Sequence, residues 1–255
     1  MILNRVGNKE YLVKHSNILS LFPPHEIFID MFFGAGGVFF NKKKAKYNIC
    51  NDLDDDVYNL YRVVRDHKDE LVEELLITPQ HYSLFKHWLV NKETNPIKKA
   101  VRFLILSNTS LYGKGNYMRI GLMNSRKLIL ENISRTFEFI LEAQFTNYDF
   151  RKVLKSVSLK GSDRDKVFVY ADPPYLGTSN NYNTKQFSPK DTEDLFELLV
   201  NSNMSFAISE RNNPLILELS SKFNLTVIYL MGKVAIKSRQ TEILIINYPI
   251  PQTLF

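Results

Sequence analysis

Two short apolar segments on either side of a glycine-rich loop constrain the fold more than any other feature of the sequence. Ile27–Ile29 is typical of a buried strand that runs into Asp30, Gly34–Gly37 follows it, and Tyr47–Cys50 resembles a second strand that ends at Asp52. The residues from the loop to about Lys44 are predicted to form a helix. A strand, a helix and a second strand in this order imply neighbouring parallel strands, so the sequence predicts an α/β fold.

Helical and strand-like patterns continue along the rest of the chain. A helix is predicted over Asn8–Phe22, and a helical, polar pattern runs from about Asp54 to Glu142 with a break at Asn108–Asn124. Strand-like patterning returns in five segments: Gln144–Asn147, Val167–Ala171, Met204–Ile208, Leu225–Leu230 and Ile243–Tyr248. These patterns predict one parallel-rich sheet interrupted by a helical insert, with the last two strands forming an antiparallel hairpin at the sheet edge.

The glycine-rich loop and two acids near it indicate a ligand site. Glycine after a strand allows a tight turn and lets backbone N–H groups approach a ligand closely. Asp52, at the end of the second strand, would suit a ribose diol, and Asp30 could accept from an amino group of the ligand. The Gly-x-Gly-x-x-Gly spacing is absent because Val38 and Phe39 follow Gly37. This argues against a nicotinamide or flavin dinucleotide and leaves a smaller adenosine-containing cofactor open, with a plain strand-to-helix turn as the alternative.

Asp172-Pro173-Pro174-Tyr175 directly follows an apolar strand candidate, where open α/β sheets bind their ligands. The prolines lack N–H groups, so the backbone here presents carbonyls but few donors. A carboxylate and a carbonyl form a pair of acceptors that would draw an exocyclic amine toward a tetrahedral, more nucleophilic geometry. Tyr175 could hold the ring of a flipped base by stacking. The alternative is a strand exit with Tyr175 packed on the core.

Composition limits the class of protein and its surroundings. The net charge is +6 and the pI is about 9.2, which suggests a polyanionic partner such as nucleic acid. The single cysteine, Cys50, excludes an intrachain disulfide and fits a reducing, cytoplasmic compartment. The sequence has no apolar stretch typical of a membrane span or a signal peptide. Its five histidines are scattered, so no metal site is predicted.

These motifs together resemble the Dam-type, D12-class adenine-specific DNA methyltransferases. Phe32–Gly36 matches the family's Phe-x-Gly-x-Gly cofactor motif, and Asp172–Tyr175 matches its catalytic motif. The resemblance implies a class I S-adenosylmethionine-dependent methyltransferase fold, which is a Rossmann-like seven-stranded sheet with the last hairpin antiparallel. It also implies a mostly helical target-recognition subdomain at 57–143, inserted into a catalytic domain formed by 1–56 and 144–255.

The resemblance also implies roles for individual residues. The implied catalytic residues are Asp172, Pro173 and Tyr175. The implied cofactor-binding residues are Arg5, Lys9, Asp30, Phe32, Gly34, Gly36, Asp52, Asp149, Phe150 and Asp172. Asn147–Phe150 resembles the segment that brackets the cofactor's adenine, and Tyr182 and Phe187 resemble aromatics of a mobile loop after the catalytic motif. The family often has an aromatic residue where this chain has Arg5.

The break in the helical insert is the predicted site of DNA recognition. It combines glycines, amides and cations, and Arg pairs with guanine edges while Asn pairs with adenine edges in the major groove. The predicted DNA contacts are Lys114, Asn116, Arg119, Asn124 and Arg126. The insert lacks the Arg-x-Asn-x-x-Gly-x-Phe-Asn pattern typical of enzymes that read GATC, so a GATC target is not assumed. A solvent loop with ordinary charges is the alternative.

The predicted function is transfer of a methyl group from S-adenosylmethionine to N6 of a flipped adenine at specific DNA sites. DNA is the predicted partner, and a cognate restriction endonuclease is a second candidate. Other amine acceptors stay open: a glutamine amide or an RNA amine, for which relatives usually have Asn before Pro-Pro-Tyr, and a cytosine amine, for which relatives more often have Ser. A nucleic-acid-binding protein with an inactive methyltransferase fold is the alternative from a different class.

Overall fold

The computed structural model describes residues 2–5, 7–110, 113–119, 125–176, 184, 186–230 and 242–250 of the chain. In this part of the chain the strands are β1 (Ile27–Asp30), β2 (Tyr47–Asn51), β3 (Ala143–Thr146), β4 (Val167–Ala171), β5 (Ser205–Arg211), β6 (Thr226–Tyr229) and β7 (Glu242–Ile246). They form a seven-stranded sheet in the order β3-β2-β1-β4-β5-β7-β6. The five strands from β3 to β5 in this order are parallel, and β7 is antiparallel to both β5 and β6. The predicted α/β fold with an antiparallel edge hairpin is therefore confirmed.

Helices lie before the sheet, between β2 and β3, and between the later strands. They are α1 (Glu10–His15), α2 (Asp55–Asp66), α3 (Lys68–Ile77), α4 (Tyr82–Val90), α5 (Pro96–Thr109), α6 (Ser125–Ile140), α7 (Phe150–Ser156), α8 (Pro189–Val200) and α9 (Pro214–Lys222). Short 3₁₀ helices occur at Ile18–Leu21 and Gly161–Lys166. None of the helices in the described part of the chain has the length and apolarity needed to cross a membrane.

Hydrophobic cores cover the two faces of the sheet. On one face, Phe28 of β1 and Tyr170 of β4 belong to the same buried cluster as Leu60 of α2 and Leu104 of α5. On the other face, buried side chains of the same strands pack in a cluster with α7, α8 and α9. Helices α2–α6 lie between β2 and β3 in the chain, where the insert was predicted. Its core is continuous with the sheet, and the division into two domains stays a prediction.

Two helix predictions near the N-terminus were wrong in part. A helix was predicted from the glycine loop to about Lys44, but the residues after the loop form turns. The hydrogen bonds of Asn41 explain the difference. Its side-chain amide donates to the Gly37 carbonyl at 2.8 Å, while its backbone N–H donates to Val38 O at 3.1 Å. A side chain that takes a helical acceptor competes with the helix. The helix predicted over Asn8–Phe22 is likewise divided, because the Ser16 hydroxyl accepts the N–H of Ile18.

Candidate active site

Acidic side chains meet at the carboxyl ends of the central parallel strands. In the strand register Asp30 of β1 lies beside Cys50 of β2 and Tyr170 of β4, so Asp52 and Asp172 follow those neighbours at the same edge. All three acids line one cavity of about 610 Å³. The cavity also receives residues of the N-terminal segment, the glycine loop and the first turns of α7 and α8. The structure thus brings together the two motifs that the sequence analysis singled out.

The glycine loop is held in shape by Asp52. The N–H of Gly34 donates to Asp52 Oδ2 at 2.6 Å, and the N–H of Asp54 donates to Oδ1 at 2.8 Å. Gly34 has a φ of +52°, and a Cβ at this position would meet no atom within 4 Å. The loop therefore presents backbone to open space in the cavity. Gly36 does not line the cavity, and a Cβ there would lie 2.7 Å from the Phe33 ring, so this glycine makes room for core packing.

The N-terminal segment packs closely against the glycine loop. Arg5 Nη2 lies 2.6 Å from Asp54 Oδ2, and both side chains are largely buried. Asp54 also caps α2 by accepting the N–H of Asp56. A Cβ on Gly37 would lie 2.9 Å from the backbone nitrogen of Lys9, so only glycine permits this approach. Arg5 and Lys9 thereby reach the cavity wall.

Asp30 is a buried acid with an unmet hydrogen-bonding capacity. Its Oδ1 has no hydrogen-bond partner among the described residues. Burial, together with the nearby carboxylates of Asp172 and Asp52, raises its pKa well above the usual value. A buried acceptor without a partner destabilises the fold by about 1–3 kcal/mol. An amino group in the cavity would relieve this penalty.

Three aromatic rings form an apolar wall in the cavity. The ring centroids of Phe32 and Phe150 are 5.8 Å apart, those of Phe32 and Phe187 are 5.9 Å apart, and those of Phe150 and Phe187 are 5.7 Å apart. Asp149 precedes Phe150 and caps α7 by accepting the N–H of Arg151 at 3.0 Å. Phe150, in the segment that resembles the one bracketing the cofactor's adenine, therefore packs against Phe187 before α8. Tyr182 lies outside the described residues.

Arg151 links α7 to α8 beside this wall. Its guanidinium lies 2.8 Å from Asp194 Oδ2 and also contacts Asp149 and Asp191. Its Cζ lies 4.3 Å from the centroid of the Phe150 ring. Sequence reasoning missed Arg151 because its partners on α8 lie about forty positions along the chain.

The predicted catalytic motif contacts Lys9. Lys9 Nζ is 3.0 Å from Asp172 Oδ1 and 3.1 Å from Glu242 Oε1, and it also contacts the Tyr175 hydroxyl. The Tyr175 hydroxyl donates to Glu242 Oε1 at 2.6 Å. Pro173 is buried, whereas Tyr175 is half-buried and does not line the cavity. Lys9, predicted to touch the cofactor, thus lines the cavity together with its partner Asp172.

Burial tunes the two carboxyls at this end of β4 and β5 differently. It raises the pKa of Asp172 to about 6, with Lys9 acting in the opposite direction. It raises the pKa of Glu210 to about 8, and the N–H of Arg211 donates to this carboxyl at 2.8 Å. At pH 7 Asp172 is mainly an ionised acceptor, while Glu210 is mainly neutral. Of these two carboxyls, Asp172 is therefore the one that can accept hydrogen bonds from an amine.

The predicted recognition residues separate into exposed and internally bonded side chains. Lys114, Asn116 and Arg119 are exposed in the loop at 113–119. Arg126 donates to the carbonyls of Leu76 and Thr78 at the end of α3. Asn124 lies outside the described residues.

The loop that carries the exposed recognition side chains rests on the N-terminal segment. Gly113 has a φ of +67°, and a Cβ there would overlap the carbonyl of Asn4. Asn108, at the end of α5, donates to the carbonyl of Ile2 at 3.0 Å. The segment that delivers Arg5 and Lys9 to the cavity therefore also supports the predicted recognition loop.

Comparison with known proteins gives the class of enzyme. The family described as D12 class N6 adenine-specific DNA methyltransferase matches residues 6–233. The chain belongs to this family. The methyltransferase is 29% identical over 225 residues to the DNA adenine methylase of Escherichia coli strain K12, covering 81% of this chain and 79% of that protein.

Two bacterial modification enzymes are also similar to the methyltransferase. The Type II methyltransferase M1.LlaDCHI of Lactococcus lactis subsp. cremoris is 24% identical, with 95% of this chain and 93% of that protein covered. The modification methylase StsI of Streptococcus sanguinis is 26% identical, with 96% of this chain and 42% of that protein covered. The similarity to the first of these extends over nearly the full length of both proteins.

We expect Arg126→Ala to destabilise the methyltransferase rather than to weaken DNA binding directly. The change leaves two helix-end carbonyls without their donor, a loss of about 1–3 kcal/mol in the free energy of unfolding. Urea denaturation measures it, with Arg119→Ala as the matched control because that side chain is exposed. Unchanged stability together with weaker DNA binding would favour a DNA contact for Arg126 instead.

Proposed function

We propose that the methyltransferase moves a methyl group from S-adenosylmethionine to N6 of an adenine that is flipped out of a specific DNA site. One observation carries this proposal: the carboxylate of Asp172 and the backbone of Gly34 line the same cavity. The first belongs to the catalytic motif and the second to the cofactor motif. A target amine and a methyl donor can therefore meet in one place.

The cavity fits S-adenosylmethionine in size and chemistry. Its volume of about 610 Å³ falls within the roughly 300–1,000 Å³ typical of small-molecule sites. Asp52 would hold the ribose hydroxyls at the end of β2, and the unpartnered Oδ1 of Asp30 would accept from the cofactor's amino group. Phe32 and Phe150, with Asp149 beside them, would enclose its adenine. Within the described part of the chain, no group of three or more His, Cys, Asp or Glu side chains could hold a metal ion.

The catalytic motif would prepare the target amine. When bound, S-adenosylmethionine supplies an electrophilic methyl group. Asp172 and the carbonyl of Pro173 would accept hydrogen bonds from N6, which localises the lone pair on nitrogen. Tyr175 would stack on the base, a contact worth roughly 1–3 kcal/mol. Flipping takes the base out of the duplex so that these groups can reach it.

A transfer assay tests the proposal against the other classes of function. Purified protein is mixed with S-adenosylmethionine carrying a labelled methyl group and with DNA, RNA or protein as acceptor. We expect label only in DNA. Calorimetry with S-adenosylmethionine separates an inactive fold from an active enzyme. Tight cofactor binding with label in RNA or protein, or no cofactor binding at all, would overturn the proposal.

We expect the rate of methyl transfer to fall in acid with an inflection near pH 6. Burial raises the pKa of Asp172 to about 6, and the ionised carboxylate is the form that accepts both hydrogen bonds from the amine. The rate of methyl transfer is therefore highest above this pKa and falls about tenfold per pH unit below it, as for one essential base. Single-turnover rates between pH 5 and 8 measure the inflection. The control is Asp172→Asn, whose residual rate should not fall in acid in this way.

The exposed loop at 113–119 is the proposed site of sequence reading. We expect Arg119→Ala combined with Lys114→Ala to weaken specific DNA binding by about 1–3 kcal/mol if a base contact is lost, or to reduce the salt slope if only phosphates are contacted. Titrations at several salt concentrations on matched and mismatched sites distinguish these results. The control removes two exposed cations outside the insert, Lys155 and Lys222. If no DNA-binding parameter moves, recognition lies elsewhere.

A restriction endonuclease is a proposed partner of the methyltransferase. The support is that relatives of this chain are named a Type II methyltransferase and a modification methylase. Protection of DNA from a co-expressed nuclease would test the pairing.

A further inference from the structure

Glu242 contacts Tyr175 of the predicted catalytic motif although no motif includes it. It is the first residue of β7, and its register partner on β5 is Arg211. Its Oε1 accepts the hydroxyl of Tyr175 at 2.6 Å and lies 3.1 Å from Lys9 Nζ. The side chain is about a quarter exposed. A carboxylate far from the motif in sequence therefore contacts both Tyr175 and the lysine beside Asp172.

Lys9 is shared between two carboxylates. Its Nζ lies 3.0 Å from Asp172 Oδ1 and 3.1 Å from Glu242 Oε1, and 4.3 Å from the centroid of the Tyr175 ring. Burial disfavours the charge of Lys9, but Asp172 and Glu242 outweigh it and raise its pKa above the usual value. The ammonium is therefore charged, and Glu242 competes with Asp172 for it.

The ring of Tyr175 is held from both ends. Pro174 restricts the backbone on one side, and the hydroxyl is fixed by its hydrogen bond to Glu242. A hydrogen bond to an ionised carboxylate is roughly twice as strong as a neutral one. Arg211 adds a cation 5.3 Å from the ring centroid. A ring fixed in this way offers a pre-positioned face for a planar base.

We propose that Glu242 is a positioning residue for methyl transfer: it fixes the Tyr175 ring for the target base and draws Lys9 away from Asp172. The inference rests on the proposed function. With Glu242 present, Asp172 keeps acceptor capacity for the amine instead of giving all of it to Lys9. Glu210, the neighbouring carboxyl, does not replace Glu242 because it is fully buried and bonded to the backbone of Arg211.

The first test compares Glu242→Ala and Glu242→Gln with Glu26→Gln. Glu26 is a half-exposed carboxylate near Lys166 before β1, at the opposite end of the sheet, and its change should leave activity unaltered. The assay is single-turnover methyl transfer to unmethylated duplex DNA. We expect Glu242→Ala to lose at least about tenfold in rate, less than the roughly 10²–10⁴-fold of a group that itself acts on the substrate, with S-adenosylmethionine affinity within about twofold. Glu242→Gln keeps an oxygen acceptor for Tyr175 and should recover part of the rate.

The pH profile separates positioning from a structural role. Without the Glu242 charge, the Lys9 ammonium interacts with Asp172 alone, which lowers the pKa of Asp172. The fall of the rate in acid should therefore occur at lower pH in Glu242→Gln. A rate within about threefold of the parent for Glu242→Ala, or a loss of rate with an unmoved acid limb, would overturn the inference.

A second readout does not depend on catalysis. In protein labelled with ¹³C at tyrosine Cζ, the Tyr175 resonance is identified by its loss in Tyr175→Phe. It should move in Glu242→Gln and stay in place in Glu26→Gln. A Tyr175 resonance that does not move would overturn the inference even if the parent protein methylates DNA. If the resonance moves but the parent protein transfers no methyl group, the contact between Glu242 and Tyr175 is supported while the proposed function fails. The positioning role of Glu242 in methyl transfer then fails together with that function.

Discussion

Asp172→Ala should reduce the single-turnover rate of methyl transfer by at least about 10²-fold, the usual scale for a positioned polar group in catalysis. The change removes the ionised acceptor at the end of β4 that would grip the target amine. Asp172 follows the strand rather than lying within it, so the sheet should survive. Rapid mixing of enzyme, labelled S-adenosylmethionine and excess DNA measures the rate of the chemical step alone.

Asp172→Asn is the matched control for this result because it keeps the shape of the side chain and removes its charge. Circular dichroism and thermal unfolding check that both variants fold. This matters because, among the described residues, Glu242 is then the one carboxylate that contacts Lys9. A near-normal single-turnover rate in a folded Asp172→Ala protein would contradict the catalytic role of the residue.

Asp52→Ala should weaken S-adenosylmethionine binding by roughly 1.5–3 kcal/mol, the scale of hydrogen bonds to charged groups. The side chain is expected to hold the ribose hydroxyls, and the structure gives a second reason for a large effect. Asp52 also accepts the backbone N–H groups of Gly34 and Asp54, so its loss releases the glycine loop. Isothermal titration calorimetry measures the cofactor affinity.

Two comparisons make the Asp52 result specific. DNA affinity without cofactor should change little, and Asp69→Ala, at an exposed position on α3, should leave cofactor affinity unaltered. Asp52→Asn should fall between the parent and Asp52→Ala because it keeps one oxygen acceptor. Equal cofactor affinity in the parent and Asp52→Ala would show that the ribose is bound elsewhere.

The fold could be predicted where local pattern and local chemistry agree. The strand candidates at Ile27–Ile29 and Val167–Ala171 are short apolar segments close to chemically distinctive motifs, and both are observed as strands. The helix expected up to Lys44 fails because Asn41 bonds its side chain to the Gly37 carbonyl. Such competition between side chain and backbone depends on a geometry that periodicity does not contain.

The residues of the site that belong to motifs could be predicted from the sequence. The residues that contact those motifs from distant parts of the chain could not. Asp30, Asp52 and Asp172 could be recognised because each lies at the end of a strand or just after it. Glu242 was missed because its contact with Tyr175 joins residues 67 positions apart. The one signal available was an acid at the start of an otherwise apolar strand.

Recognition residues were the hardest group to predict from composition. Arg119 and Arg126 look alike in the sequence, yet Arg119 is exposed while Arg126 is bonded to the end of α3. A cation's surroundings decide whether it can contact DNA, and those surroundings come from distant parts of the chain. Their roles in DNA binding stay predictions.

Identifying the methylated base in cells tests site-specific adenine methylation most directly. DNA from cells that express the chain, in a host without adenine methylation, is sequenced by a method that detects methylated adenine and methylated cytosine. We expect N6-methyladenine at one recurring short sequence and none in cells that express Asp172→Ala. Methylated cytosine, or unmethylated DNA in cells with abundant folded protein that binds S-adenosylmethionine, would show that the enzyme is not a DNA adenine methyltransferase.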